Sequence, residues 1–244
     1  MSNYFAIYND YNTIQVSDIS HAVSFSRMTS VMTKDFYIKD TDIPNGEIKI
    51  LMNSDEVFFG ISTDSTTQVY LNSKITYIGG SKYAVITFPH SKKPTSNIKI
   101  DVYFFTKAKQ LENFGLQCFT EAGNICFSSC DKHINVISTT STNININPQY
   151  GQVNDDMTNN PDRYVPGVRR EYRVPSGKKY AVIQNSCASA LIGHALFLCA
   201  FVTEMFVLSK NYIITEPVSA LFYFGGYSSI CSFSSFMIVD VTNC

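Results

Sequence analysis

The sequence predicts an all-β protein made of two tandem, related β-sandwich modules. Three features carry that expectation: a composition suited to strands, short apolar runs punctuated by turn residues, and a segment pattern that occurs twice in the same order. Phe, Tyr, Ile, Val and Thr fit a pleated, half-buried surface. Aromatic residues reach 14%, all of them Phe and Tyr, whereas charged residues make up only 16%. Ser, Thr and Asn rather than Gly and Pro fill the shortfall in charge, and 45% of the residues are apolar, so the composition is globular rather than disordered. A chain of 244 residues is long enough for one large or two small cores. No window carries a sustained helical stripe.

The repeat begins close to the N-terminus. Residues 3–18 read NYFAIYNDYNTIQVSD, and residues 113–129 read NFGLQCFTEAGNICFSS. With Cys118 as one extra residue in the second copy, Asn3 faces Asn113, Tyr4 faces Phe114 and Tyr8 faces Phe119. Asn12 then faces Gly123, Ile14 faces Ile125, Val16 faces Phe127 and Ser17 faces Ser128. Asn and Gly tolerate the positive φ of a tight hairpin turn, so each copy reads as strand, turn, strand. A second pair is Ile43-Pro44-Asn45-Gly46-Glu47 leading into IKILMNS and Val174-Pro175-Ser176-Gly177-Lys178 leading into KYAVIQNS. The modules also finish alike, at Ile98–Lys107 and Phe233–Thr242. The first module is expected over residues 1–108 and the second over 109–244, with Lys109–Glu112 as the link.

Within the first module, strands are expected at Phe58–Ser62, Thr67–Leu71, Lys74–Ile78, Tyr83–Phe88 and Ile98–Thr106, separated by turns such as Gly79-Gly80-Ser81 and Ser91-Lys92-Lys93-Pro94. Many short strands at this spacing suit a sandwich. The second module carries a long loop, residues 138–167, rich in Asn, Thr, Asp and Pro. Loops of this length are functional or mobile. Two readings stay open: a solvated surface loop, or an arm that orders against a neighbouring subunit with Tyr150, Met157, Tyr164 and Val165 as contacts. Cys187–Leu208 is apolar enough to invite a membrane reading. His194 and Glu204 within it are costly in hydrocarbon, and two buried strands joined by a tight turn are expected instead.

Charge and chemistry narrow the function. The net charge is −1, and basic residues occur singly or in pairs such as Lys92–Lys93, Arg169–Arg170 and Lys178–Lys179, so no row of phosphates is matched. Nucleic acid is not an expected partner, and membrane insertion is not expected. Seven irregularly spaced cysteines and an N-terminus without a basic, then apolar, leader point to synthesis in a reducing cytoplasm. There is no P-loop, GxGxxG after a strand, GxSxG or HExxH. His21, His90, His133 and His194 are scattered. Cys118, Cys126, Cys130 and His133 contain one spacing that zinc accepts, but no second pair, so cysteines on a sheet are expected and no metal. Asp155–Asp156 and Asp162 sit in the long loop, where no carboxylate separation is fixed. Neither a cofactor nor an enzyme activity is expected.

Gly115-Leu116, the turn Gly123 and Phe127-Ser128-Ser129 together resemble a hairpin pattern of bacteriophage tail proteins: Gly-Leu, an alternating strand, a turn Gly, an apolar residue, then Phe and Asp-Ser. Ser128 stands where Asp is usual. Tyr4–Asp18 is similar to the same hairpin, with Phe5 and Asn12 in place of the glycines. The resemblance spans roughly 16 residues per copy. It implies a non-enzymatic virion component of tail, tail tip or fibre attachment, made in the host cytoplasm and contacting other phage virion proteins. Low charge, abundant Tyr and Phe and polar Ser/Thr/Asn faces suit packed interfaces, and a homo-oligomeric ring is the expected assembly. The alternative is an exposed receptor-binding or head-decoration protein of the particle.

Overall fold

A computed structural model describes residues 6–8, 14–17, 22–38, 45–89, 94–107, 116–119, 123, 125–129, 131–143, 170–173, 176–186, 189–193, 198–210, 212–223, 230–231 and 233–244. From the N-terminus the strands are β1 (Ala6–Tyr8), β2 (Ile14–Ser17), β3 (Val23–Met32), β4 (Tyr37–Ile38), β5 (Asn45–Leu51), β6 (Glu56–Ser62), β7 (Val69–Ile78), β8 (Ser81–Pro89) and β9 (Lys99–Lys107). They continue as β10 (Gln117–Phe119), β11 (Ile125–Ser128), β12 (Asn135–Asn143), β13 (Arg170–Arg173), β14 (Tyr180–Ser186), β15 (Ser189–Gly193), β16 (Leu198–Leu208), β17 (Tyr212–Tyr223), β18 (Ile230–Cys231) and β19 (Phe233–Asp240). A single 3-10 turn, Thr33–Asp35, follows β3, and no α-helix occurs among the described residues. The protein is all-β.

Two large antiparallel sheets stack on one another. The six-stranded sheet runs β12-β19-β14-β6-β9-β3. The nine-stranded sheet runs β13-β17-β16-β7-β8-β5-β4, with β15 paired to β16 and β18 paired to β15. Strands on either side of the link visit the sheets in matching order. In the first sheet β3-β9-β6 is answered by β12-β19-β14; in the second, β5-β8-β7 is answered by β13-β17-β16. The halves meet where Val182 of β14 pairs with Ile61 of β6, and where β16 pairs with β7 through Phe206↔Leu71, Val207↔Tyr70 and Leu208↔Val69. Both sheets therefore run unbroken from one half into the other.

That order corrects one expected correspondence. Gly46 lies within β5 of the nine-stranded sheet, whereas Gly177 lies in the turn three residues before the first residue of β14, in the six-stranded sheet. Gly177 is a turn glycine, at φ +86° in open space. Gly46 is a packing glycine, because a Cβ there would lie 2.1 Å from the Phe88 ring. A shared Pro-x-Gly spelling thus served two different purposes. The expected strands Thr67–Leu71 and Lys74–Ile78 are one strand, β7, because Asn72 and Ser73 keep the ladder through Asn72↔Thr87 and Ser73↔Ile86. Polar residues at a strand centre had read as a break. Similarly, residues 138–143, expected to open the long loop, belong to β12 and pair with β19. A Thr-rich run suits an edge strand even without apolar alternation. The Gly79-Gly80 turn behaves as expected: φ values of +55° and +83° make the turn that joins β7 to β8. Residues 187–208 contain an antiparallel strand pair, β15 with β16, in register from Ser189↔Thr203 to Gly193↔Cys199. No helix among the described residues is long and apolar enough to cross a membrane.

Strand alternation sorts the apolar residues into two cores. On β9, Ile100, Val102 and Phe104 face the nine-stranded sheet and pack with Phe59, Ile61, Leu71, Ile86, Phe88, Val182, Phe206 and Ile238. The intervening Tyr103 and Phe105 face the other way and join Ala181, Ile183, Val239 and Val241. That second core is closed because the six-stranded sheet curls until its edges meet. The segment just before β12 reaches the start of β3, with a bridge at Ser24↔His133, a 2.7 Å bond from Phe25 N to Lys132 O and a 3.0 Å bond from Ile134 N to Val23 O.

Candidate functional site

Two short hairpins stand outside the large sheets. In β1–β2 the register is Ala6↔Ser17, Ile7↔Val16 and Tyr8↔Ile14, with an irregularity between Ile7 and Tyr8. In β10–β11 it is Gln117↔Ser128, Cys118↔Phe127 and Phe119↔Ile125, with the same irregularity between Cys118 and Phe119. Tyr8 and Phe119, Ile14 and Ile125, Val16 and Phe127, and Ser17 and Ser128 thus hold equivalent places. Cys118 corresponds to Ile7, so the extra residue of the second copy lies before Gln117 rather than at Cys118. Gly123 sits at the hairpin turn with φ +76°. Leu116, just before β10, and Phe119 at its end are exposed, at 61% and 50%. On β11, Cys126 is buried against Ala22, whose N–H bonds to the Cys126 carbonyl at 2.7 Å.

His133, the imidazole of the suspected zinc cluster, is hydrogen-bonded within the fold. His133 Nε2 lies 2.6 Å from the Ser128 carbonyl and therefore carries the proton. Nδ1 then accepts from the Ser24 hydroxyl at 3.2 Å. The ring stacks on Phe127, with centroids 4.6 Å apart. Ser24 is buried, and this Ser–His contact ties β3 to the segment before β12. Cys118 is a free thiol, and no group of metal-ligating side chains gathers among the described residues. Cys130, His21, His90, His194, Asp155, Asp156 and Asp162 lie outside the described residues, as do the four expected loop contacts Tyr150, Met157, Tyr164 and Val165.

Two buried polar clusters, invisible as motifs, hold strands together. Glu56 is fully buried and accepts from Arg27 Nε at 2.8 Å, Arg27 Nη2 at 3.1 Å, Ser26 Oγ at 3.2 Å and Asn53 N at 2.8 Å. The Arg27 guanidinium also lies 4.0 Å above the Phe104 ring and donates to the Leu51 carbonyl. In the second cluster, Asp101 accepts from Lys179 at 2.6 Å and from Ser30 at 2.6 Å, and Lys99 stands 3.0 Å away. Lys179 also donates to Asp64 at 2.9 Å. Burial pushes the Asp101 pKa up, but the bonds from Lys179, Ser30 and Lys99 outweigh it, and the net value falls below the usual 3.8. For Lys179, burial favours the neutral amine, yet Asp101 and Asp64 raise its pKa overall. Both groups remain charged at neutral pH, so neither is poised for proton transfer.

The hollows fit that reading. One cavity of about 40 Å³ lies beside Asp64, Lys179 and Lys210, room for a water or so. Two open clefts of about 300 Å³ each lie at Phe36, Phe88 and Asn97 and at Lys132, His133, Lys178 and Cys244. In the second, Lys178 is bonded to Asp240 at 2.8 Å, and burial leads in pushing the Cys244 thiol pKa up, away from the reactive thiolate. A further surface is apolar. At the far end of β7, Ile75, Tyr77 and Ile78 are exposed, together with Leu51 at the end of β5. The string KITYIGGSKY was the sequence signal for it, since its apolar residues flank the turn on both faces. No family model, curated protein or solved structure matches the chain.

Proposed function

We propose that the chain is a non-enzymatic structural component of a bacteriophage particle, placed in the tail, tail tip or fibre attachment. The observation that carries this reading is the doubled hairpin. The segment resembling the tail-protein pattern coincides with β10–β11, and β1–β2 repeats its register and irregularity residue for residue. A two-stranded hairpin is marginal by itself, and one exposing Leu116 and Phe119 gains most by packing on a neighbour. The buried polar clusters add support, since their ions are spent on joining strands. On this reading the protein assembles as a ring of identical subunits, set among other virion proteins through sheet edges and hairpins.

Gold-labelled antibody against the purified protein, applied to intact particles, tests the placement. Label on the tail supports it; absence of the protein from purified particles, or label confined to the head, refutes it. Sedimentation of the isolated protein tests the ring, which requires a closed oligomer rather than a monomer.

A further inference from the structure

We infer that the β7–β8 hairpin tip is a contact site for an anionic lipid surface. This inference stands apart from the virion reading and rests on a different element.

The geometry of the tip is unusual for a soluble face. Leu71 and Ser73 on β7 are buried between the sheets, but Ile75 and Tyr77, on the same face of the strand, are 37% and 68% exposed. The hairpin therefore outruns the sheet it packs against. Ile78 points to the opposite face at 45% exposure, and Leu51, whose register partner Tyr83 pairs with Thr76, shares that opposite face at 57%. Apolar side chains thus emerge on both sides of a narrow two-stranded tip closed by Gly79-Gly80. A flat partner could cover one face only. A fluid apolar medium, entered end-on, covers both.

Charge selects the kind of surface. Residues 69–89 contain Lys74 and Lys82 and no acidic residue. Lys74 is exposed on the face of Ile78, and Lys82 pairs in register with Tyr77 while its Nζ is held by the carbonyls of Ser54 and Glu56. An apolar tip at Ile78, Tyr77 and Lys82 level with each other one rung behind it, and Lys74 three rungs further back match the layering of a membrane interface: acyl chains, headgroup boundary, then anionic headgroups. This is shallow insertion of a turn, not a crossing of the bilayer.

The chain contains no Trp, so one introduced indole reports its own surroundings. Tyr77→Trp and, as an independent copy, Ile78→Trp are titrated with vesicles of phosphatidylcholine containing a minority of phosphatidylglycerol. Leu116→Trp, just before β10, serves as the control, and circular dichroism confirms that each variant keeps the strand spectrum. The expected result is a shift of tip emission to shorter wavelength and quenching by brominated acyl chains, with Leu116→Trp unchanged. Adding Lys74→Glu, or omitting the anionic lipid, should weaken binding about tenfold. Absence of a shift at both tip positions overturns the inference, as does an equal shift at Leu116→Trp. So does a shift that needs no vesicles and grows with protein concentration alongside the mass from light scattering, which would make a second copy the occupant.

Discussion

Lys179 Nζ lies 2.6 Å from Asp101 Oδ2, a bond between residues 78 apart in sequence that fastens the entry to β14 onto β9 across the junction of the two halves. The carboxylate is nearly inaccessible, at 2%, while the ammonium keeps 27% exposure and a second carboxylate, Asp64. The pair is therefore asymmetric in burial rather than in partners: losing Lys179 leaves a nearly inaccessible anion to Ser30 and the half-exposed Lys99, whereas losing Asp101 leaves a more exposed cation beside Asp64. Lys179→Met should cost more stability than Asp101→Asn, with the former near 3 kcal/mol by urea denaturation.

The same pair sets an acid limit. Asp101 has a folded-state pKa below its ordinary value, so its ion pair stabilises the fold above that ordinary value, and the contribution is lost as pH falls through the depressed one. The urea midpoint of the parent protein should drop as pH is lowered from about 5 to about 2, given ordinary carboxylate values near 4. Asp101→Asn should show a shallower decline over that window. An equal decline would assign the acid sensitivity to other carboxylates.

Glu56→Gln probes the other cluster. The side chain is fully buried and accepts from Arg27, Ser26 and Asn53, so the amide would place an NH₂ against donors and leave the Arg27 charge uncompensated. A loss of about 3 kcal/mol in denaturant unfolding is expected. Glu56→Gln combined with Arg27→Met should recover part of it, because removing both partners is milder than removing one.

Gly46→Ala should destabilise although the change is one methyl group. Its Cβ would meet the Phe88 ring at 2.1 Å, and that ring is itself buried and packed on Phe36 with centroids 5.1 Å apart. Overpacking of this kind costs about 1–3 kcal/mol. The double change Gly46→Ala with Phe88→Leu should be less harmful than the sum of the single changes, which a thermal-melt cycle measures.

Chelation offers a contrasting expectation. With His133 bonded to Ser24 and Ser128, and Cys126 buried against Ala22, EDTA should leave the melting temperature unchanged. A drop would point to a bound ion and reopen the cluster that includes Cys130.

Strand identity was legible where local chemistry decides it. Gly79-Gly80 marked the β7–β8 turn, and the matching of Tyr8 with Phe119 and Val16 with Phe127 emerged from pattern alone. Local spelling failed where burial decides. Gly46 resembled a turn residue but makes room for Phe88, Asn72-Ser73 resembled a break yet continues a ladder, and the polar residues 138–143 form an edge strand. The ion pairs were out of reach for another reason: Arg27 with Glu56, and Lys179 with Asp101, have no motif, because only the stacking of strands brings them together.

The seam between Val23–Phe25 and residues 132–134 has a kinetic consequence. Its partners are over a hundred positions apart, and the β6–β14 pairing of Ile61 with Val182 spans a similar distance. During synthesis, β6 and β7 wait with bare edges until the downstream half has left the ribosome, so closing the second core is a late event on the folding route. Slow refolding, in the millisecond-to-second range typical of such non-local topologies, and aggregation of ribosome-stalled chains lacking β14 and β16 are what that delay entails.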